Sequence, residues 1–143
     1  MSTLWVQHAS SSAAVARRSV LAAFDAAGLP TEQALDAALI ASELVANAVR
    51  HAAPLPSGQL AVSWSVDSDG YQISVTDGGV PGTTRPQISA RQAGSRELAG
   101  RGLQIVAELS DDWGVAAEDG ATTVWARTRN ADLRQPAPEP AQP

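Results

Sequence analysis

The sequence predicts an α+β fold, a two-layer sandwich with helices on one face of a mainly antiparallel sheet. Three observations predict it. Two helical segments come first in the chain. At Leu60 the hydrophobic period then switches from that of a helix to strict alternation. The alternating runs are joined by tight turns, Asp67-Ser68-Asp69-Gly70 and Glu118-Asp119-Gly120.

In chain order, residues 1–9 form an N-terminal segment in which Leu4-Trp5-Val6 has the makings of a short edge strand. Ser10-Ser11-Ser12 offers a helix cap, and an Ala-rich helix runs from about Ala13 to Ala27, stopped by Gly28-Leu29-Pro30. Val15, Val20, Leu21 and Phe24 give it one apolar side. Thr31 is expected to cap a second helix that reaches about His51, where Ala53-Pro54-Leu55-Pro56-Ser57-Gly58 breaks it. Leu60, Val62, Trp64 and Val66 then alternate with Ala61, Ser63 and Ser65. The return strand puts Tyr71, Ile73, Val75 and Asp77 on one face. From Gly78 to Arg101 periodicity is weak, and a connection this long inside a compact domain is usually functional or disordered. Arg85, Arg91, Arg96 and Arg101 fall in that span, four of the chain's ten basic residues. A short helix with Leu103, Val106 and Leu109 inward follows, then strands around Trp113-Gly114-Val115 and Thr122-Thr123-Val124-Trp125-Ala126. The folded domain is expected over residues 10–129. Residues 130–143, with Pro136, Pro138, Pro140 and Pro143, are expected to be a disordered tail.

At 143 residues the chain is one domain, long enough to bury roughly 68–70% of its unfolded surface. A hydrophobic content of 44% and a charged content of 17% are those of a globular protein, with Trp5, Trp64, Trp113 and Trp125 among the expected core residues. There is no cysteine, which excludes disulfides and thiolate zinc sites. His8 and His51 are the only histidines, too few for a multi-histidine metal centre. All basic residues are arginine. Without lysine there is neither a P-loop lysine nor a Schiff base. A net charge of -5 argues against sequence-independent nucleic-acid binding. No apolar run suggests a membrane span, and the N-terminus lacks the pattern of a signal peptide, so a cytoplasmic location is expected.

Four features carry chemistry. Glu43 and Asn47 lie four residues apart on one face of a helix that is otherwise apolar nearly all round. A carboxylate can take the proton of an attacking hydroxyl, and an amide oxygen is a hard ligand for Mg²⁺. On spacing alone the pair also fits a helix-surface Glu with an incidental Asn. Asp77-Gly78-Gly79 ends a strand with an acid on the core face, able to accept a hydrogen bond from a buried amine. A plain Asp-Gly turn is its alternative. Gly100-Arg101-Gly102-Leu103 opens a helix with free N–H groups and the positive end of the helix dipole, a seat for phosphate. A glycine before a helix also occurs without any ligand. Thr123 stands in a strand, where β-branching alone explains it, and His51 at a helix end is as readily structural.

Taken in order, these features resemble the histidine-kinase-like ATPase superfamily (GHKL), built on the Bergerat fold. The order is Glu-x-x-x-Asn on a helix, a strand ending in Asp-x-Gly, a loop closing on Gly-x-Gly-Leu, and a Thr-bearing strand. Ser42 to Ala52, Gly100 to Val106, Trp113-Gly114 and Thr123-Val124-Trp125-Ala126 look most like the small anti-sigma-factor serine kinases of Gram-positive bacteria. The likeness spans about residues 10–128.

The resemblance implies ATP and Mg²⁺ as cofactors. It implies Glu43 as general base or water-orienting carboxylate and Asn47 as Mg²⁺ ligand. Asp77 would bond the adenine amino group, with Gly79 beside the base and Thr123 supporting the adenine end. Backbone amides of Gly100, Arg101, Gly102 and Leu103 would meet the phosphates, and residues 82–99 would form the ATP lid. One departure stands out: Pro81 occupies the last glycine position of the fuller Asp-x-Gly-x-Gly pattern, and Gly82 comes one residue late. The implied function is a serine/threonine kinase with a sigma factor and an antagonist protein as partners and no direct contact with nucleic acid or membrane. The alternative is a non-catalytic ATP-binding module that sequesters a partner. Relatives dimerise, which leaves a homodimer open.

Overall fold

The helix predicted to reach His51 spans Thr31–His51 in a computed structural model that describes residues 1–79, 88–89 and 101–129. The elements are β1 (Ser2–Gln7), α1 (Ser12–Ala26), α2 (Thr31–His51), β2 (Gln59–Asp67), β3 (Gly70–Asp77), β4 (Ile88–Ser89), α3 (Arg101–Leu109), β5 (Asp112–Glu118) and β6 (Ala121–Arg129). The six strands form one sheet in the order β1-β2-β3-β6-β5-β4, and every pair in it is antiparallel. The helices cover one face, so the protein is a two-layer α/β sandwich.

α2 is the buried spine of that layer. Ala34, Ala37, Ala38, Ile40, Ala41, Leu44, Val45 and Ala48 are buried along it, at the i, i+3, i+4 spacing that turns one broad face to neighbours. So many alanines let α1 approach closely on one side while β3 and α3 pack on the others. Phe24 of α1 meets Tyr71 of β3 edge-to-face, with ring centroids 5.0 Å apart and planes at 77°. Such a pair contributes about 0.5–1.5 kcal/mol beyond the area it buries.

The strand faces follow from register. Tyr71, Ile73, Val75 and Asp77 of β3 point to the helices, and their partners on β6 are Thr128, Ala126, Val124 and Thr122. Cross-strand partners share a face, so the two sets build the same inner surface. On β2 the inner residues are Leu60, Val62, Trp64 and Val66, the last of them 40% exposed near the hairpin tip.

Several local expectations are corrected. Thr31 is the first helical residue rather than the cap; Pro30 precedes it with extended ψ, and no side-chain capping bond is made. Ser11 precedes α1 but its side chain does not cap, whereas Ser12 Oγ donates to the Gln7 carbonyl at 2.6 Å and ties the helix to β1. Of the four tryptophans Trp113 is buried and Trp64 packs against the core from the inner face of β2, as expected, whereas Trp5 is 55% exposed on the outer face of the edge strand. Ile88–Ser89, in a span without clear period, pairs with Val115 and Gly114 as β4. The proposed tail, 130–143, lies outside the described residues. No helix among the described residues is long and apolar enough to cross a membrane.

Candidate nucleotide site

The C-terminal half of α2 brings together three of the four sequence features. Glu43 and Asn47 sit half-buried on one edge of the helix, with the exposed Arg50 one turn further on. α3 begins at Arg101, and Gly102 in its first turn is buried against that edge. A Cβ built on Gly102 would stand 2.8 Å from Glu43 Oε2 and 3.7 Å from Arg50 Nη2. Glycine is what permits this approach. The N–H groups of the first helical turn have no partners within the helix, so Arg101, Gly102 and Leu103 present donors and positive partial charge beside the Glu43 edge. Leu103 anchors that turn with its side chain, which is 1% exposed in the core. Gly100 and the expected lid, 82–99 apart from β4, lie outside the described residues.

Asp77 lies at the other end of the site, 3% exposed on the inner face of β3. Its Oδ1 accepts a hydrogen bond from Gly79 N–H at 2.7 Å. Burial pushes its pKa up to about 6, against the opposing pull of the Gly79 N–H and of the charge on His8. A desolvated carboxylate that is still ionised at neutral pH is a strong acceptor for an N–H donor.

The turn after Asp77 is pinned to the loop that leaves α2. Gly78 N–H donates to the Ala53 carbonyl at 2.8 Å, and Ala53 N–H donates to the Gly79 carbonyl at 3.0 Å. A Cβ on Gly78 would lie 2.1 Å from the Pro54 carbonyl oxygen, so that position admits only glycine. Gly79 has φ of +79°, and a Cβ there would meet the Gly120 carbonyl oxygen at 2.7 Å. Both glycines are therefore required by the chain's own packing.

Thr123 is corrected. The register pairs it with Thr76, and the two hydroxyls bond each other at 2.8 Å on the outer face of the sheet. Asp77 is paired with Thr122, whose side chain shares the inner face. A Cβ on Gly79 would come within 3.4 Å of Thr122 Oγ1, which places that hydroxyl beside the Asp77 turn. Alternation along the strand could have raised Thr122 from sequence, but only with the β3–β6 register known. Thr76 and Thr123 instead line a shallow depression of about 310 Å³ on the outer face, with Ala116, Glu118, Asp119 and Ala121. It contains none of the inner-face site residues.

From Glu43 to His51 the helix axis advances about 12 Å, and the Ala53 bonds to the Asp77 turn lie just past its end. One end offers a desolvated acceptor and a hydroxyl. The other offers helix-end amides, an arginine, a carboxylate and an amide side chain. The model of the histidine kinase-like ATPase domain family matches residues 7–128. The chain belongs to that family. No curated protein matches it. As a histidine kinase-like ATPase domain it is of the GHKL superfamily, whose domains bind ATP, typically with Mg²⁺. Among the described residues no group of three His, Cys, Asp or Glu could hold a metal by itself.

Proposed function

We propose that this domain is an ATP- and Mg²⁺-dependent protein serine/threonine kinase of the anti-sigma-factor type, acting on an antagonist protein in a partner-switching circuit. The observation that carries the catalytic half is the closure of Gly102 on the Glu43 carboxylate, which sets a general base beside a helix end suited to phosphate. Family membership supports the nucleotide half.

The residues divide the work by position. Asp77 accepts from the exocyclic amine of the base, with the Thr122 hydroxyl beside it in the role first expected of Thr123. The amides of Arg101, Gly102 and Leu103 bind phosphate oxygens, and Arg50 adds positive charge at the same edge. The Asn47 amide oxygen holds Mg²⁺. Bound MgATP supplies the transferable phosphoryl group and the neutralisation of its charge. Glu43 accepts the proton of the incoming serine hydroxyl and aligns its oxygen. Sigma factor and antagonist are the partners by resemblance.

Incubation of the purified chain with labelled ATP and candidate antagonist proteins tests this reading. Label on an antagonist serine is expected, lost in Glu43→Ala with ATP binding retained, and lost in Asn47→Ala together with Mg²⁺-dependent binding. Tight ATP binding without any transfer favours the second reading, a non-catalytic module that sequesters its partner. The proline at position 81, where the pattern has glycine, is the observation on that side.

A further inference from the structure

His8 follows the edge strand β1, far in sequence from every residue assigned above, and is half-buried. Its Nε2 lies 2.8 Å from the carbonyl oxygen of Ala52. A carbonyl oxygen can only accept, so Nε2 carries the proton and donates it to this bond. Ala52 ends α2, its own N–H donating to the Ala48 carbonyl. The next residue, Ala53, makes both backbone bonds to the turn after Asp77, one to Gly78 N–H and one to the Gly79 carbonyl. The Gly79 N–H in turn holds Asp77 Oδ1. An unbroken sequence of hydrogen bonds and covalent links thus runs from the His8 ring to the Asp77 carboxylate. His8 also lies close enough for its charge to favour the ionised form of Asp77.

We infer that His8 is a positioning residue for base recognition: its Nε2–H fixes the Ala52 carbonyl, and through Ala53 holds the Asp77-Gly78-Gly79 turn in the geometry that accepts an exocyclic amine. The inference rests on the nucleotide reading above. Its physical basis is that the segment leaving α2 is a loop, 53–58, containing Pro54 and Pro56 and bonded to the strand end through that pair of backbone bonds. At its far side Leu55 N–H donates to the Gln59 carbonyl and Gly58 N–H to the Leu55 carbonyl. Loops held by a few backbone bonds open locally at small cost. A side-chain donor reaching in from β1 removes that freedom, and pre-organised acceptors bind more tightly than mobile ones. His8 touches no base in this arrangement; it acts through the turn.

The test compares ATP with purine riboside triphosphate, which has the same phosphates and sugar but lacks the 6-amino group. Wild-type protein is expected to prefer ATP by about tenfold or more, the effect of one hydrogen bond to a charged acceptor. His8→Ala is expected to lose most of that preference, with affinity for purine riboside triphosphate unchanged. His8→Gln, whose amide N–H can reach the place of Nε2, is expected to restore it. A purely structural role would weaken both nucleotides alike. Equal loss of both, or full preference retained in His8→Ala, overturns the inference and leaves the nucleotide site standing. Wild-type protein that shows no preference overturns the base-recognition reading and the inference with it. Amide hydrogen exchange without nucleotide reads the tether separately. In His8→Ala, Ala53 and Gly78 should exchange about tenfold faster while Val62 and Ile73 keep wild-type rates. Unchanged rates at Ala53 and Gly78 overturn the tether.

Discussion

Gly102, in the first turn of α3, lies against the carboxylate of Glu43 on α2, so that even one methyl group on Gly102 would stand 2.8 Å from Glu43 Oε2. Residues far apart in the chain meet there because Leu103 and Val106 anchor α3 in the core while α2 keeps its alanine-rich face inward. The contact couples a helix N-terminus to an acid. The first prediction concerns its removal. Gly102→Ala presses on the flexible end of a side chain rather than on backbone, and alanine is the better helix former by about 1 kcal/mol. The midpoint of thermal unfolding should move by no more than a few degrees. With Glu43 as the proposed general base, phosphoryl transfer should fall at least ~10-fold, because a base displaced by about 1 Å loses alignment.

Gly78→Ala should behave in the opposite way. Its Cβ would meet the Pro54 carbonyl oxygen at 2.1 Å and carbonyl carbon at 2.8 Å, both backbone atoms in a segment that is itself bonded to the turn. Overpacking of this kind costs about 1–3 kcal/mol. Urea denaturation should show a lower midpoint with an unchanged slope, and ATP affinity should drop because the Asp77 turn is displaced. A midpoint equal to wild type would mean that the loop yields freely.

Asp77 sets a pH dependence whose sign is unusual for a carboxylate. Its pKa rises from 3.8 to about 6 on folding, mainly through desolvation. Between these values the folded state binds more protons than the unfolded one, so stability falls as pH rises through the window. The contribution present below pH 4 is therefore lost as pH rises through about 6. Asp77→Asn removes that loss. It should match wild type near pH 4 and exceed it by about 3 kcal/mol at pH 8, measured by urea denaturation across the range. ATP affinity should fall at the same time, since the neutral amide is the weaker acceptor. A stability difference that does not grow with pH would show that Asp77 is solvated.

Thr122 and Thr123 offer a paired test. Thr122→Val removes the hydroxyl that shares a face with Asp77, and ATP affinity should fall about 3- to 10-fold. Thr123→Val breaks only the bond to Thr76 on the outer face, costing about 1 kcal/mol or less of stability and leaving ATP affinity unchanged. Calorimetric titration of both variants decides between the two faces. The reverse pattern would restore Thr123 to the site.

Much of this was legible in the chain because it depends on neighbours in sequence. The 3.6-residue period of α2, the alternation in β2 and β3 and the turns at Asp67–Gly70 and Glu118–Gly120 are local properties, and the structure follows them. Glu43 and Asn47 share a helix edge for the same reason. Caps were less legible. Ser12 found the Gln7 carbonyl and Pro30 took the place before α2, because a hydroxyl bonds whatever acceptor the surrounding chain brings near.

The sequence by itself determined the kinds of element, their order and the residue types able to bind a nucleotide. Tertiary structure decided which of those residues share a side. Adjacent threonines point to opposite faces of a strand, and only the pairing of Asp77 with Thr122 says which one joins the acid. Register likewise turned Trp5 outward and Val6 inward. The reason Gly78 must be glycine is the Pro54 carbonyl, and the reason for Gly102 is Glu43. Neither neighbour is near in sequence. Contacts between distant segments are set by how whole faces pack, and no local pattern encodes them.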